Sequence, residues 1–276
     1  MKDELQIKWA DASMIARLRH VWEECFWDVQ DYLDLFFSRR FPSSRALTAW
    51  VGDTLAGTVY LLDAELDGRP FWYGYAVGTL PEFRGMGISR YLHEEIFRMA
   101  DEQNALYAVH PQGDHLIAFY EKLGLKQGFF HKVVTLCAEP ADVEGLSLTE
   151  LSAFDYTKLR DAAFSAPDFV RWGADAVDYA VEENAFCHGF CRALTDGENV
   201  WALFGDVRED TLFLRETTMP DAVILRAAPL LAKEFDCTRI TMRLPAGSQL
   251  DGTVEMSGMV RGAGSPDCGY LNLMLD

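Results

Sequence analysis

The segment Arg84-Gly85-Met86-Gly87-Ile88-Ser89 does most to limit what this chain can fold into. Before it lies the extended run Phe71 to Val77; after it Ile88, Tyr91, Leu92, Ile96, Phe97 and Met99 recur at helical spacing with charges between them. A strand that passes through glycines into an amphipathic helix leaves the first backbone N–H groups of that helix without acceptors, at the positive end of its dipole. Glycines at 85 and 87 let the backbone turn successive N–H groups toward one point and let a ligand come close. Arg84 adds a fixed cationic fork. A diphosphate is the natural occupant of such a place.

The surrounding pattern supplies the fold class. Asp11 or Ser13 can cap a helix carrying Ile15, Leu18, Val21, Trp22, Cys25 and Phe26 on one stripe, and a second helix with Val29, Tyr32, Leu33, Phe36 and Phe37 ends at Arg39-Arg40 and Pro42. Two extended runs follow, Ala46 to Val51 and Leu55 to Leu62, joined by the turn Gly52-Asp53-Thr54. Beyond the glycine-rich helix come a strand from Ala105 to Val109, a short helix from Asp114 to Lys122 ending at Gly124, and a strand or strand pair from Gln127 to Cys137. Helix, helix, hairpin, strand, helix, strand, helix, strand is an α+β order with one strand–helix–strand crossover at its middle.

The same order recurs in the second half. Ala138 to Gly145, rich in Ala, Pro and acids, reads as a linker, giving domains 1–138 and 139–276. Helical stretches near Tyr156–Phe164 and Asp168–Glu183 precede strands near Phe186–Leu194, Val200–Val207 and Thr211–Thr217. Thr218-Met219-Pro220 echoes Thr79-Leu80-Pro81, and each is followed by a helix and a strand ending at Pro245 or Pro111. The second interval is shorter, and what it lacks is the glycine segment: after Pro220 come Asp221, Ala222, Val223, Ile224, Leu225 and Arg226. The expectation is a duplicated fold with one empty copy.

Composition narrows the function. The 276 residues, 49% hydrophobic and 25% charged, suit an ordinary folded chain of two domains. A net charge of −18, most of it after residue 140, opposes binding to nucleic acid or anionic lipid and draws cationic small molecules. The acid-containing start and the lack of any stretch long enough for a membrane span read as cytoplasmic. Six cysteines, mostly far apart, read as reduced thiols. Cys187 and Cys191 lie four positions apart in what reads as one strand, hence on one face, but no second cluster completes a metal site, and none is expected.

The run Ala76 to Ser89, with its following helix, resembles the signature of the GNAT superfamily of N-acetyltransferases, Arg/Gln-x-x-Gly-x-Gly/Ala. Leu116 to Leu125 resembles the family's next helix, with its aromatic-Tyr-x-Lys-x-Gly-aromatic ending. Ser89 stands where the family usually has Gly or Ala, and Leu125 where it has Phe. The two motifs and the element order cover residues 1–137. The resemblance implies two GNAT-like domains in tandem, each a mixed central sheet flanked by helices, the first binding acetyl-CoA and the second degenerate. It implies that the strand ending at Val77 to Thr79 splays from its neighbour and pairs its backbone with the pantetheine arm. Arg84, Gly85, Met86, Gly87, Ile88 and Ser89 would then hold the pyrophosphate, and Tyr120 would return a proton to the leaving sulfur. A backbone N–H of Val77 or a neighbour would meet the charge on the carbonyl oxygen.

The implied reaction is acetyl transfer to a primary amine of a cationic small molecule or peptide, without a metal; a non-catalytic acyl-CoA sensor on the same fold is the alternative. Glu82, His110, Asp114 and His115 are candidate bases. Because Leu125 to Cys137 is short for a full family hairpin, Cys268 to Leu275 is a candidate strand to complete the first sheet, bringing the carboxylate of Asp276 toward the cleft. Acceptor identity, acyl-chain length and oligomeric state stay open.

Overall fold

A computed structural model of the chain describes residues 5–273. The chain divides into two compact units: residues up to Gly128 with Gly258–Pro266, and Phe129–Ser257 with the chain from Asp267 on.

In the first unit β1 (Leu5–Trp9) leads to α1 (Ile15–Phe26), whose entry is a single turn capped by Asp11, with Oδ1 accepting from the Ser13 N–H at 2.8 Å. Then come α2 (Gln30–Leu35), β2 (Arg45–Val51), β3 (Thr54–Leu66), β4 (Arg69–Thr79), α3 (Ile88–Glu102), β5 (Leu106–Val109) and α4 (Asp114–Lys122). Strands β3 and β4 are longer than the apolar runs alone suggest, because their far ends pair across the Asp67-Gly68 turn. β6 (Lys126–Cys137) begins in this unit and continues into the other.

The second unit holds β7 (Ser147–Glu150), α5 (Ala153–Ala163), the two-residue β8 (Arg171–Trp172), α6 (Ala174–Phe186), β9 (Phe190–Thr195), β10 (Val200–Arg208), β11 (Thr211–Thr217), α7 (Asp221–Glu234) and β12 (Arg239–Pro245). Last is β13 (Thr253–Arg261), whose final residues return to the first unit.

Each unit is an α+β layer on a mixed sheet. In the first, β1 to β4 are antiparallel neighbours in chain order, β4 pairs parallel with β5, and β5 pairs antiparallel with the end of β13 through Met259–Val109, Val260–Ala108 and Arg261–Tyr107. In the second, β7, β9, β10 and β11 are antiparallel in that order, β11 and β12 are parallel, and β12 is antiparallel to β6. The parallel pair joined through one helix recurs in both, as the repeat required. α3 buries Ile88, Leu92, Ile96, Phe97 and Ala100 against the first sheet, and each large apolar side chain so removed from water contributes about 1.5–3 kcal/mol. The second core gathers Leu194, Leu203, Leu212, Leu214, Ile224, Leu231, Ile240 and Met242.

Three expectations need correction. The strand that completes the first sheet is β13, not Cys268–Leu275; among the described residues of the latter, Gly269 and Tyr270 make only isolated bridges, to Phe129 and Phe169. Met259 and Val260 are fully buried on a strand that pairs with β5, whereas Tyr270 is drawn into a cluster with Phe164 and Phe169. Asp276 lies outside the described residues. The helix expected from Asp168 starts only at Ala174, because Phe169 and Val170 are drawn into the core and Gly173 caps the helix in an extended conformation. Cys187 ends α6 and is exposed, so it does not share a strand face with Cys191 on β9. No helix among the described residues is long and apolar enough to cross a membrane.

Candidate active site

The site starts from a parting of strands. β4 and β5 pair from Phe71–Leu106 to Gly74–Val109, and the ladder ends there while β4 runs on to Thr79. On its other edge β4 stays paired with β3, with a bulge: Tyr75 faces Tyr60 and Gly78 faces Thr58, leaving two residues, Ala76 and Val77, opposite Val59. Ala76 has φ +44°, a left-handed backbone that a residue with a Cβ adopts only when its surroundings hold it there. The bulge reverses the faces of β4. Gly74 turns toward Tyr107, whereas Gly78, four residues on, lies under the end of α1, where a Cβ would stand 3.1 Å from Cys25 Sγ and 3.4 Å from Phe26.

Immediately after β4 a single turn at Pro81–Phe83 delivers the glycine segment. Gly85 and Gly87 both adopt left-handed backbone, φ +79° and +80°, and Gly87 caps α3 without any side-chain hydrogen bond. The N–H groups that open α3 therefore have neither an acceptor within the helix nor a capping side chain. Arg84 is exposed, and its Nε donates to the Thr79 carbonyl at 3.1 Å, which holds the guanidinium over the end of β4. Met86 and Ser89 are half-buried and Ile88 is buried, anchoring the loop to the sheet. Val77 and Thr79 lie half-buried on the splayed part of β4.

Tyr120 projects from α4 and is 5% exposed. Its ring stands edge-on to His93, with centroids 5.4 Å apart, and burial holds its phenol proton well above the usual tyrosine range. It is a protonated acid at ordinary pH. Glu82 precedes the glycine segment, while His110 follows β5 and Asp114 and His115 open α4. All four thus stand beyond the C-terminal ends of the parallel pair, the end at which β4 and β5 part. No group of three or more His, Cys, Asp or Glu side chains able to hold a metal occurs among the described residues.

Sequence reasoning missed several residues at this site. Burial raises the Cys25 thiol pKa, while hydrogen bonding to Arg84 and Thr79 opposes that shift. The opposite face of β4 is aromatic: Trp22 lies 5.1 Å from Tyr60 and 5.6 Å from Tyr75, and the hydroxyls of Tyr32 and Tyr75 are 2.9 Å apart. His93 is fully buried behind the glycine segment. Only its place four residues after Ser89, on the apolar stripe of α3, could have drawn attention to it.

The second unit has the same parting of strands and fills it with its own side chains. The β11–β12 ladder ends at Leu214–Met242. Beyond it the Glu216 carboxylate accepts from Tyr156 Oη at 2.6 Å, from Arg160 Nε at 2.6 Å and Nη2 at 3.0 Å, and from Asn272 Nδ2 at 3.0 Å. Asn272 also donates to the Arg215 carbonyl at 2.8 Å, within the stretch of β11 that corresponds to the splayed part of β4. At the start of α7, Asp221 accepts from Ser248 Oγ at 2.9 Å and from the Gln249 N–H at 2.6 Å. A carboxylate already occupies the positive end of that helix.

Residues 9–125 match the model of the acetyltransferase (GNAT) family. No curated protein matches the chain in sequence. Among solved structures, a GCN5-related N-acetyltransferase from Kribbella flavida superposes with a TM-score of 0.72 at 14% identity, over 97% of this chain and 74% of that one. Another, from Anabaena variabilis, has a TM-score of 0.72 at 14% identity over 93% and 72%. A tandem GNAT protein from the clavulanic acid biosynthesis pathway has a TM-score of 0.55 at 11% identity over 95% and 99%. At these identities the likeness is one of fold. The family match falls on the unit with the open strands and the glycine segment, and the tandem neighbour spans both units: residues 9–125 form an acetyltransferase (GNAT) family domain, and the chain as a whole shares the fold of a tandem GNAT protein.

Proposed function

We propose that this chain moves an acetyl group from acetyl-CoA to a primary amine of a cationic small molecule or peptide. The observation that carries the reading is the parting of β4 and β5 beside a helix start with two left-handed glycines, with a buried phenol on the following helix. The family match of residues 9–125 supports N-acyl transfer as the reaction class. The donor and the acceptor are the part we infer.

The pyrophosphate lies on Arg84 to Ser89, where it meets backbone N–H groups and a guanidinium. The pantetheine arm continues the β4 edge from Val77 to Thr79, supplying the hydrogen bonds that the departing β5 does not. The acceptor amine loses a proton to a base among Glu82, His110, Asp114 and His115 and attacks the thioester carbonyl. A backbone N–H of Val77 or a neighbour receives the charge on the oxygen. As the C–S bond breaks, the sulfur takes the electron pair and then the proton of Tyr120. Burial keeps that phenol protonated, so Tyr120 holds its proton until the thiolate, itself shut away from water, takes it. Labour is then divided between the two units, with donor chemistry in the first. Glu216 and Asp221 leave no room for it in the second. The net charge of −18 favours acceptors of opposite sign.

The test is thiol release from acetyl-CoA across a panel of amines, with acetyl-CoA binding measured by calorimetry. Saturable release with at least one cationic amine is expected. Absence of both binding and release refutes the reading, while binding without release from any amine favours the sensor.

A further inference from the structure

Behind the glycine segment, α3 carries a histidine on the face it buries. His93 Nδ1 lies 2.7 Å from the carbonyl oxygen of Ser89. A carbonyl only accepts, so Nδ1 carries the proton and Nε2 does not. Burial keeps the ring neutral, with a pKa lowered to about 4. The Tyr107 hydroxyl, 3.0 Å from Nε2, is therefore the donor of that bond. Tyr107 stands on β5, fully buried, and its phenol end occupies the space that Gly74 leaves open: a Cβ on Gly74 would lie 2.7 Å from Tyr107 Cζ and closer still to the oxygen. Gly74 is the last residue of β4 paired with β5. The imidazole also meets the rings of Phe119 and Tyr120 edge-on, at 6.4 and 5.4 Å.

One hydrogen-bonded pair thus touches three parts of the site: the first turn of α3, the point where the strands part, and the helix that bears Tyr120. We propose that His93 and Tyr107 are positioning residues for acyl transfer, setting the spacing between the phosphate-holding turn, the splayed edge of β4 and the Tyr120 phenol. This rests on the donor site proposed above. The pair is no proton wire. The single ring proton of His93 is committed to the Ser89 carbonyl, so a proton leaving Tyr107 has no replacement from behind. What the pair does is mechanical: it holds Tyr107 against Gly74, and the parallel ladder stops there.

The decisive experiment is a double-mutant cycle with Tyr107→Phe and His93→Phe, read as kcat and KM for thiol release, with the acetyl-CoA Kd and urea stability measured for each protein. Misplacement of reacting groups by an ångström can cost up to about a hundredfold in rate. Each single variant is expected to lose about tenfold or more in kcat, with a smaller change in Kd. The double variant should be no slower than the slower single, because the two act as one unit. A merely structural pair would lower the urea midpoint and leave the kcat of the folded protein unchanged, and that result overturns the proposal. If His93→Phe does not fold, Tyr107→Phe, which keeps the ring and loses one oxygen, decides alone by the same kcat criterion. Wild-type protein run alongside separates the two readings: no release from wild type sinks the donor site and this proposal with it, whereas normal wild-type release with undiminished variants sinks this proposal only.

Discussion

Replacing Gly87 with alanine tests whether the glycine segment works through its backbone. Gly87 has φ +80°, and an added Cβ would meet only the Tyr91 ring, at 3.6 Å, an ordinary contact. Gly85 has φ +79° and open space around it. Neither substitution clashes, so the penalty is conformational, about 1–2 kcal/mol for a residue with a Cβ held in left-handed backbone. That penalty must surface in one of two places. If the loop keeps its shape, stability falls by about 1–2 kcal/mol and acetyl-CoA binds as before. If the loop relaxes in the free protein, stability is unchanged and the ligand must restore the turn, weakening the Kd by roughly 5- to 30-fold at 1.4 kcal/mol per factor of ten. Urea unfolding and calorimetric titration with acetyl-CoA, done on Gly85→Ala, Gly87→Ala and the double variant, measure both. Gly87→Asn is the control, since asparagine tolerates this backbone and should recover part of the loss. Alanine variants unchanged in both stability and Kd would refute the argument that positive φ is what these glycines supply.

Three further outcomes follow from the structure. Tyr120→Phe should lower kcat by about 10²–10⁴ while leaving the acetyl-CoA Kd within twofold, as for the loss of a general acid; a kcat near that of wild type would remove Tyr120 from the chemistry. His93, with a folded pKa of about 4 against 6.5 unfolded, takes up its proton more readily in the unfolded chain. Its contribution is therefore complete above pH 6.5 and lost as pH falls toward 4, about 3 kcal/mol in all. Urea midpoints across that window should drop less for His93→Phe than for wild type, and parallel curves would contradict the assignment. In the second unit, Arg160→Met leaves the Glu216 carboxylate buried without its cation and should cost about 3–5 kcal/mol by urea unfolding, whereas Arg160→Met with Glu216→Leu should fall near wild type. Equal losses in the single and double variants would show that packing, not charge, holds this place.

The backbone of the candidate site was largely legible in the sequence. Arg84 to Ser89, the helix from Ile88 and the helix of Tyr120 lie where the residues implied, because each depends on neighbours within a turn or two: glycines for positive φ, an apolar stripe for the buried face, Gly124 for the stop. The aromatic face behind β4 was not legible, since Trp22, Tyr32, Tyr60 and Tyr75 come from four separate elements. Nor was the bulge at Ala76–Val77, which exists only relative to the strand it faces. The helix placed from Asp168 failed because an apolar residue such as Phe169 reads alike in a helix and in a loop tucked into a core.

By itself the sequence determined the α+β class, the repeated order of elements and the helix start that carries Gly85 and Gly87, all consequences of local backbone preference and short-range periodicity. Only the tertiary structure decided which strand closes the first sheet, how the second copy is shut, and what stands behind the glycine segment. Those answers depend on pairs distant in the chain: Met259 with Val109, Glu216 with Arg160 and Asn272, Tyr107 with His93. Burial turns each pair into a constraint, because a hydrogen-bonding group or charge shut away from water must find its partner wherever the fold has brought one.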